Sequence, residues 1–130
     1  MTHPISVLLI DDNQLVLDSV SAWLEDDGFG VHSATCGQDA LQLLSTIPIE
    51  FIMVDLKLPD MNGEAFIIQA IRQYPSTCFV IHTGARSYRL PLELQHLGLQ
   101  DNDIVYKPIV SLPLLTDMIR SKVRGAAHNA

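Results

Sequence analysis

Five polar residues, Asp11, Asp12, Asp55, Thr83 and Lys107, each stand where a short apolar run stops. Three carboxylates, a hydroxyl and an ammonium support a narrow range of chemistry. Carboxylates brought close raise one another's pKa through like-charge repulsion, so a cluster of them calls for a cation. With neither His nor Cys in the set, every ligand would be oxygen. A compact site that leaves coordination positions to water or to a phosphoryl oxygen favours Mg²⁺ over Ca²⁺. Lys107 would add a second, movable positive charge and Thr83 a hydrogen-bond donor. Together these groups could stabilise a phosphoryl group in flight or attached, with one carboxylate as nucleophile.

The residues are far apart in sequence, so elements of the fold must bring them together. Phe51–Val54 (FIMV) reads as a strand buried on both faces that halts at Asp55. Lys57, Pro59, Asp60, Asn62 and Gly63 then form a turn, and Glu64–Ile71 resumes an apolar pattern at helical spacing, closed by Tyr74 and Pro75. Ile5–Ile10 is a similar apolar strand stopping at Asp11 and Asp12. Asn13 is placed to cap the next helix, whose apolar stripe includes Val16, Val20, Trp23 and Leu24 and which stops at Gly28. Gly30–Ala34 reads as the second strand and Gln38–Thr46 as the second helix, ended before Pro48.

Cys78–His82 is the fourth strand, ending at Thr83 and Gly84. The stretch 85–103 is the least regular. Its best reading is a short helix from about Leu90 to Leu97, with Pro91 in the first turn and Gly98 as the stop. Ile104–Tyr106 is the fifth strand, before Lys107 and Pro108. Ser111 caps a last helix over Leu112–Val123, with Pro113 in its first turn, and Arg124–Ala130 reads as a frayed tail.

Strict βα alternation implies a parallel sheet covered by helices on both faces, and right-handed crossovers favour a doubly wound arrangement. In a parallel sheet the carboxyl ends of the strands share one edge, which is where ligands bind in open α/β folds. The intervals of 43, 28 and 24 positions from Asp12 to Asp55, Thr83 and Lys107 in turn allow two, one and one βα units.

The chain's bulk properties narrow the function classes. A length of 130 residues fits one domain, and 48% apolar residues exclude a disordered chain. A formal charge of −7, from fifteen acidic and eight basic residues, repels nucleic acid and anionic lipid. No stretch approaches the roughly 20 apolar residues of a membrane span, and the first residues lack a secretory pattern, so the expected location is cytoplasmic. Cys36 and Cys78 are isolated and read as small buried hydrophobes. Neither GxxxxGK[ST] nor GxGxxG occurs, which disfavours nucleotide binding.

Taken in order, the Asp11-Asp12 pair, ATCGQDALQLL around Gly37, VDLKLPDMNG around Asp55, Thr83 and Lys107-Pro108 make the chain resemble the receiver domain of two-component response regulators over residues 5–123. That resemblance implies a five-stranded flavodoxin-like sheet in the order 2-1-3-4-5 and a receiver domain over residues 1–123, with 124–130 as a tail or the start of a linker. It makes Asp55 the phosphoacceptor, served by the phosphohistidine of a sensor histidine kinase or phosphotransfer protein, and it implies a downstream effector protein or output domain. Asp12 and the Lys57 backbone carbonyl would ligate Mg²⁺ beside Asp55, with Asp11 acting mostly through water. Thr83 would swing to the phosphoryl group, Lys107 would pair with it, and the Lys107–Pro108 bond would be cis. The domain would be a switch and not an enzyme acting on outside substrates.

Three positions depart from the family pattern. Ile104 stands three residues before Lys107, where members usually carry Tyr or Phe; Gly84 replaces the common Ala; and Gly98 lies nine residues before Lys107, which lengthens the loop into strand five. The main alternative is a pseudo-receiver that only binds proteins. A haloacid-dehalogenase-type phosphohydrolase would require DxDx[TV], and Asn13 occupies the second acidic position. His82 reads as a packed core residue on the face opposite Thr83, the Lys57 side chain as solvated, and His3, His32 and His96 as carrying no pattern. Leu90, Leu92, Leu94, Leu97 and Leu99 read mostly as core.

Overall fold

The computed structural model describes residues 3–129. Strands and helices alternate: β1 (Ser6–Ile10), α1 (Gln14–Asp26), β2 (Gly30–Ala34), α2 (Gly37–Thr46), β3 (Phe51–Asp55), α3 (Gly63–Gln73), β4 (Cys78–Thr83), α4 (Leu92–His96), β5 (Ile104–Tyr106) and α5 (Leu112–Asn129). The strands form one parallel sheet in the order β2-β1-β3-β4-β5. This is the doubly wound, flavodoxin-like arrangement, with its reversal of strand order between β1 and β3.

Alternation along the strands divides the core in two. Leu8, Ile10, Ile52, Val54, Phe79 and Ile81 face α2, α3 and α4, whereas Val7, Leu9, Phe51, Met53 and Val80 face α1 and α5. Because β1 and β3 are buried on both faces, they carry continuous apolar runs. Each run ends when the chain reaches the sheet edge, and there a carboxylate can meet other polar groups.

Four local readings change. Pro91 is the N-cap of α4 and lies outside its first turn, so that helix is only Leu92–His96; Gly98, at φ +107, supplies its stop as expected. Helix α5 continues past Val123 to Asn129, so residues 124–129 are helical and not frayed, while Ala130 lies outside the described residues. Trp23 and Leu92 are exposed, Trp23 on the rim of the α1 stripe and Leu92 on the outer side of α4, whereas Leu90, Leu94 and Leu99 are core. Cys36 and Cys78 are only partly buried: Cys36 is the N-cap of α2 and Cys78 contacts α5 through the Lys122 carbonyl. Among the described residues no helix is long and apolar enough to cross a membrane.

One close approach sets the height of the loop after β3. A Cβ on Gly63 would clash with the carbonyl oxygen of Asp55, a backbone atom that cannot give way. The Gly63 N–H also donates to the Leu56 carbonyl at 2.7 Å, closing the loop. Gly63→Ala should therefore cost about 1–3 kcal/mol. Urea unfolding checks this, and an unshifted midpoint would contradict the packing described.

Candidate functional site

The loop that follows Asp55 is tied at several points. Asn62 caps α3 by accepting from the Ala65 N–H at 2.7 Å, and Lys57 and Asn62 form an isolated bridge. Asp60 reaches across to α2, accepting from the N–H groups of Gly37 at 2.9 Å and Gln38 at 2.8 Å. Those two bonds, Gln38's first, hold the Asp60 carboxyl below its usual pKa. Asp60 looked in sequence like one turn-former among several. The missed signal was Cys36, whose thiol is a weak cap and accepts from Asp39 only at 3.5 Å, so the start of α2 needed an acceptor from elsewhere.

At the sheet edge Asp11, Asp12 and Asp55 converge, each with a carboxylate oxygen within 4.8 Å of the others; Asp11 and Asp55 are buried and Asp12 is exposed. From β5, the Lys107 ammonium donates to Asp11 Oδ2 at 2.8 Å and to Asp55 Oδ2 at 3.2 Å. The remaining oxygens also have partners, since Asp11 Oδ1 accepts from the Asn13 N–H at 2.9 Å and Asp55 Oδ1 from the Lys57 N–H at 3.3 Å. Burial alone would lower the Lys107 pKa; its hydrogen bonds to Asp11 and Asp55 and the charges of both outweigh that, so the net shift is upward. What this contributes to stability is thus fully present at neutral pH and is lost only as pH rises through the raised value.

Residues 7–120 match the family model for the response regulator receiver domain. The chain belongs to that family. The receiver domain is 27% identical over 120 residues to response regulator SaeR of Staphylococcus epidermidis, an alignment covering 81% of this chain and 51% of that protein. Against SaeR of Staphylococcus aureus (strain USA300) it is 30% identical over 108 residues, covering 83% and 45% respectively. It thus spans about half the length of these curated relatives. Among solved structures it resembles the CheY-like receiver domain protein from Methanospirillum hungatei JF-1, with a TM-score of 0.81, 25% identity, and coverage of 98% of this chain and 99% of that one.

The other expected residues of the receiver domain lie around this cluster. Thr83 is buried at the end of β4, where its hydroxyl oxygen accepts from the Ala85 N–H at 3.1 Å and its carbonyl accepts from the Lys107 N–H at 2.8 Å. The Lys57 side chain is solvated, as expected, and the Lys107–Pro108 bond is cis. Ile104 is partly buried against the α2–α4 core, and Tyr106 lies beneath the Arg86 guanidinium at 5.9 Å. A second missed pair is Tyr88, in the β4–α4 loop, and Glu64 at the start of α3: the phenol donates to the carboxylate at 2.7 Å. Nothing in their sequence spacing joins them, because the contact spans two elements.

His82 is the packed core residue foreseen, on the face opposite Thr83. That face is the one Asp11 shares, and the two line a small cavity of about 10 Å³ with Leu9, Leu17 and Met53. Its Nε2 has no hydrogen-bond partner among the described residues. Burial, helped by the Lys107 charge and opposed by Asp11, lowers its pKa from 6.5 to about 4. The folded chain therefore resists a proton that the unfolded chain takes up below 6.5, and stability falls as pH drops from 6.5 towards 4. The full loss for this group is about 3 kcal/mol. His82→Phe should flatten that part of the stability profile in metal-free buffer, as read by urea unfolding at several pH values; a slope equal to the wild type's would contradict this.

Proposed function

We propose that the chain is a phosphorylation-operated switch in which Asp55 accepts a phosphoryl group from the phosphohistidine of a sensor histidine kinase or phosphotransfer protein. The observation that carries this is the single Lys107 ammonium bonded to both Asp11 and Asp55. It offsets the mutual repulsion of the carboxylates and places a positive charge beside the side chain that would become phosphorylated. In the transfer, an Asp55 oxygen forms a bond to phosphorus as the phosphorus–nitrogen bond breaks, and the imidazole nitrogen keeps the electron pair. The domain is a signalling module, and its chemistry is confined to its own aspartate.

The donor set fits Mg²⁺. It is all oxygen, the carboxylates lie within 4.8 Å of one another, and Asp12 is open to solvent. Asp12, Asp55 and the Lys57 carbonyl would hold the ion. By the family resemblance, Asp11 would act mostly through water. When bound, Mg²⁺ supplies the charge that draws phosphoryl oxygens to the cluster.

Thr83 and Lys107 would couple phosphorylation to shape. A phosphoryl oxygen on Asp55 competes for the Lys107 ammonium and gives the Thr83 hydroxyl an acceptor, so the state in which both groups close on it is stabilised only after phosphorylation. The readout face is β4, α4, β5 and α5, where exposed Val110 and Leu114 border an apolar groove of about 370 Å³ with Tyr106 and Met118. The phosphorylation-independent alternative is favoured by Ile104, which leaves the family's usual aromatic relay without its ring, and by the altered fourth loop that begins at Gly84.

Incubation with Mg²⁺ and a small phosphodonor should add one phosphoryl group by intact mass, and Asp55→Asn should remove the gain. A folded, Mg²⁺-binding wild type that never gains mass under donor excess would rule out the switch. Lys107→Ala should still bind Mg²⁺ by calorimetry while losing the structural response to phosphorylation; an unaltered response would remove Lys107 from the coupling.

A further inference from the structure

The β4–α4 loop leaves Thr83 and has no regular structure before α4, and Gly84 to Ser87 and Arg89 are exposed. Few bonds hold it. At its start the Ala85 N–H donates to the Thr83 hydroxyl at 3.1 Å, and the Tyr88 N–H then donates to the Ala85 carbonyl at 3.0 Å. At its far side the Tyr88 ring packs against the α2–α4 core, and its hydroxyl donates to Glu64 Oε2 at 2.7 Å. Burial first, and then Glu64, push the Tyr88 phenol well above its ordinary pKa, so it remains a donor at every physiological pH.

Glu64 is a fixed anchor. It follows Gly63, whose backbone lies against the Asp55 carbonyl, and it belongs to the first turn of α3. The Tyr88–Glu64 bond thus ties the loop that begins at Thr83 to the segment that carries Asp55. Ile104 cannot provide an aromatic ring that turns inward, whereas Tyr88 already has one, seated between the two segments.

We propose that the Tyr88–Glu64 hydrogen bond is a latch that holds the β4–α4 loop in its resting position, and that its opening carries the signal away from Thr83. The role rests on the phosphorylation switch above. When the Thr83 hydroxyl turns towards a phosphoryl oxygen it releases the Ala85 N–H, and the turn from Ala85 to Tyr88 loses its support at that end. Between Thr83 and the buried Leu90 the loop is then held chiefly by the latch, and a shift of Ala85 pulls Tyr88 from its seat. Tyr88 is a positioning residue and touches neither the metal site nor the phosphoacceptor.

Tyr88→Phe keeps the ring and removes only the hydroxyl, and Glu64→Ala removes the acceptor. Hydrogen exchange at the Ala85 and Tyr88 amides, with intact mass in parallel, tests the latch. Each variant should still gain a phosphoryl group, and without phosphorylation these amides should exchange about tenfold faster than in wild type, the effect of losing a charge-assisted hydrogen bond. The double variant should add little to either single one, β3 amides should stay protected, and activated wild type should approach the rates of the resting variants. Mass gain with unchanged loop exchange in Tyr88→Phe overturns the latch alone. So does an activated wild type whose Tyr88 amide stays as protected as at rest. A wild type that gains no mass overturns the switch, and with it the latch's part in signalling, while the resting-state comparison still reports whether the bond restrains the loop.

Discussion

Lys107 brings one ammonium between two carboxylates, and the rest of the site depends on those three charges keeping their spacing. At about 3 Å each contact is worth roughly 5 kcal/mol of gross attraction in the effective dielectric of a partly buried site. Desolvation offsets much of that gain. The pair of contacts therefore matters less as a source of stability than as the condition under which Asp11 and Asp55 can sit side by side. If the ammonium is drawn away or its attachment is shared, the balance at the edge changes, and a change of this kind can operate a switch.

The sheet keeps the balance in place from one side. Asp11 and Asp55 end adjacent parallel strands that are buried on both faces, and Gly63 seats α3 directly on the Asp55 carbonyl. Asp60 and Asn62 fasten the same loop to the starts of α2 and α3. The opposite side is looser. Between Thr83 and the buried Leu90 the chain is held mainly by a bond to a threonine hydroxyl, one turn and Tyr88, and it leads into a helix of only five residues without a side-chain cap. A firmly held aspartate beside a more lightly held loop is the distribution of local stability that lets a small chemical event move one segment and not the whole domain.

Much of this was legible in the sequence because it depends on periods and stops. Apolar runs that end at Asp11, Asp55 and Thr83 mark three strands, and strict alternation with helices forces their ends onto one edge, which is why the sequence alone brings the carboxylates and Lys107 together. What escaped were contacts made between elements. Asp60 capping α2, and Tyr88 meeting Glu64, follow from how two loops and two helices lie in space, and no spacing along the chain encodes them. The limits of α4 and α5 differ from those the sequence suggests for a related reason. Pro91 is compatible with either the first turn or the cap, and α5 continues past Val123 with residues whose pattern alone sets no stop.

The most direct test is a structure of the chain with Mg²⁺ and beryllofluoride, which imitates a phosphoryl group on aspartate. The beryllium should be bonded to an Asp55 oxygen, with the Lys107 ammonium and the Thr83 hydroxyl both within hydrogen-bond distance of its fluorines and the Ala85 N–H released. A folded, Mg²⁺-loaded structure with Asp55 unmodified, Lys107 still shared between Asp11 and Asp55, and Thr83 still accepting from Ala85 would contradict the switch.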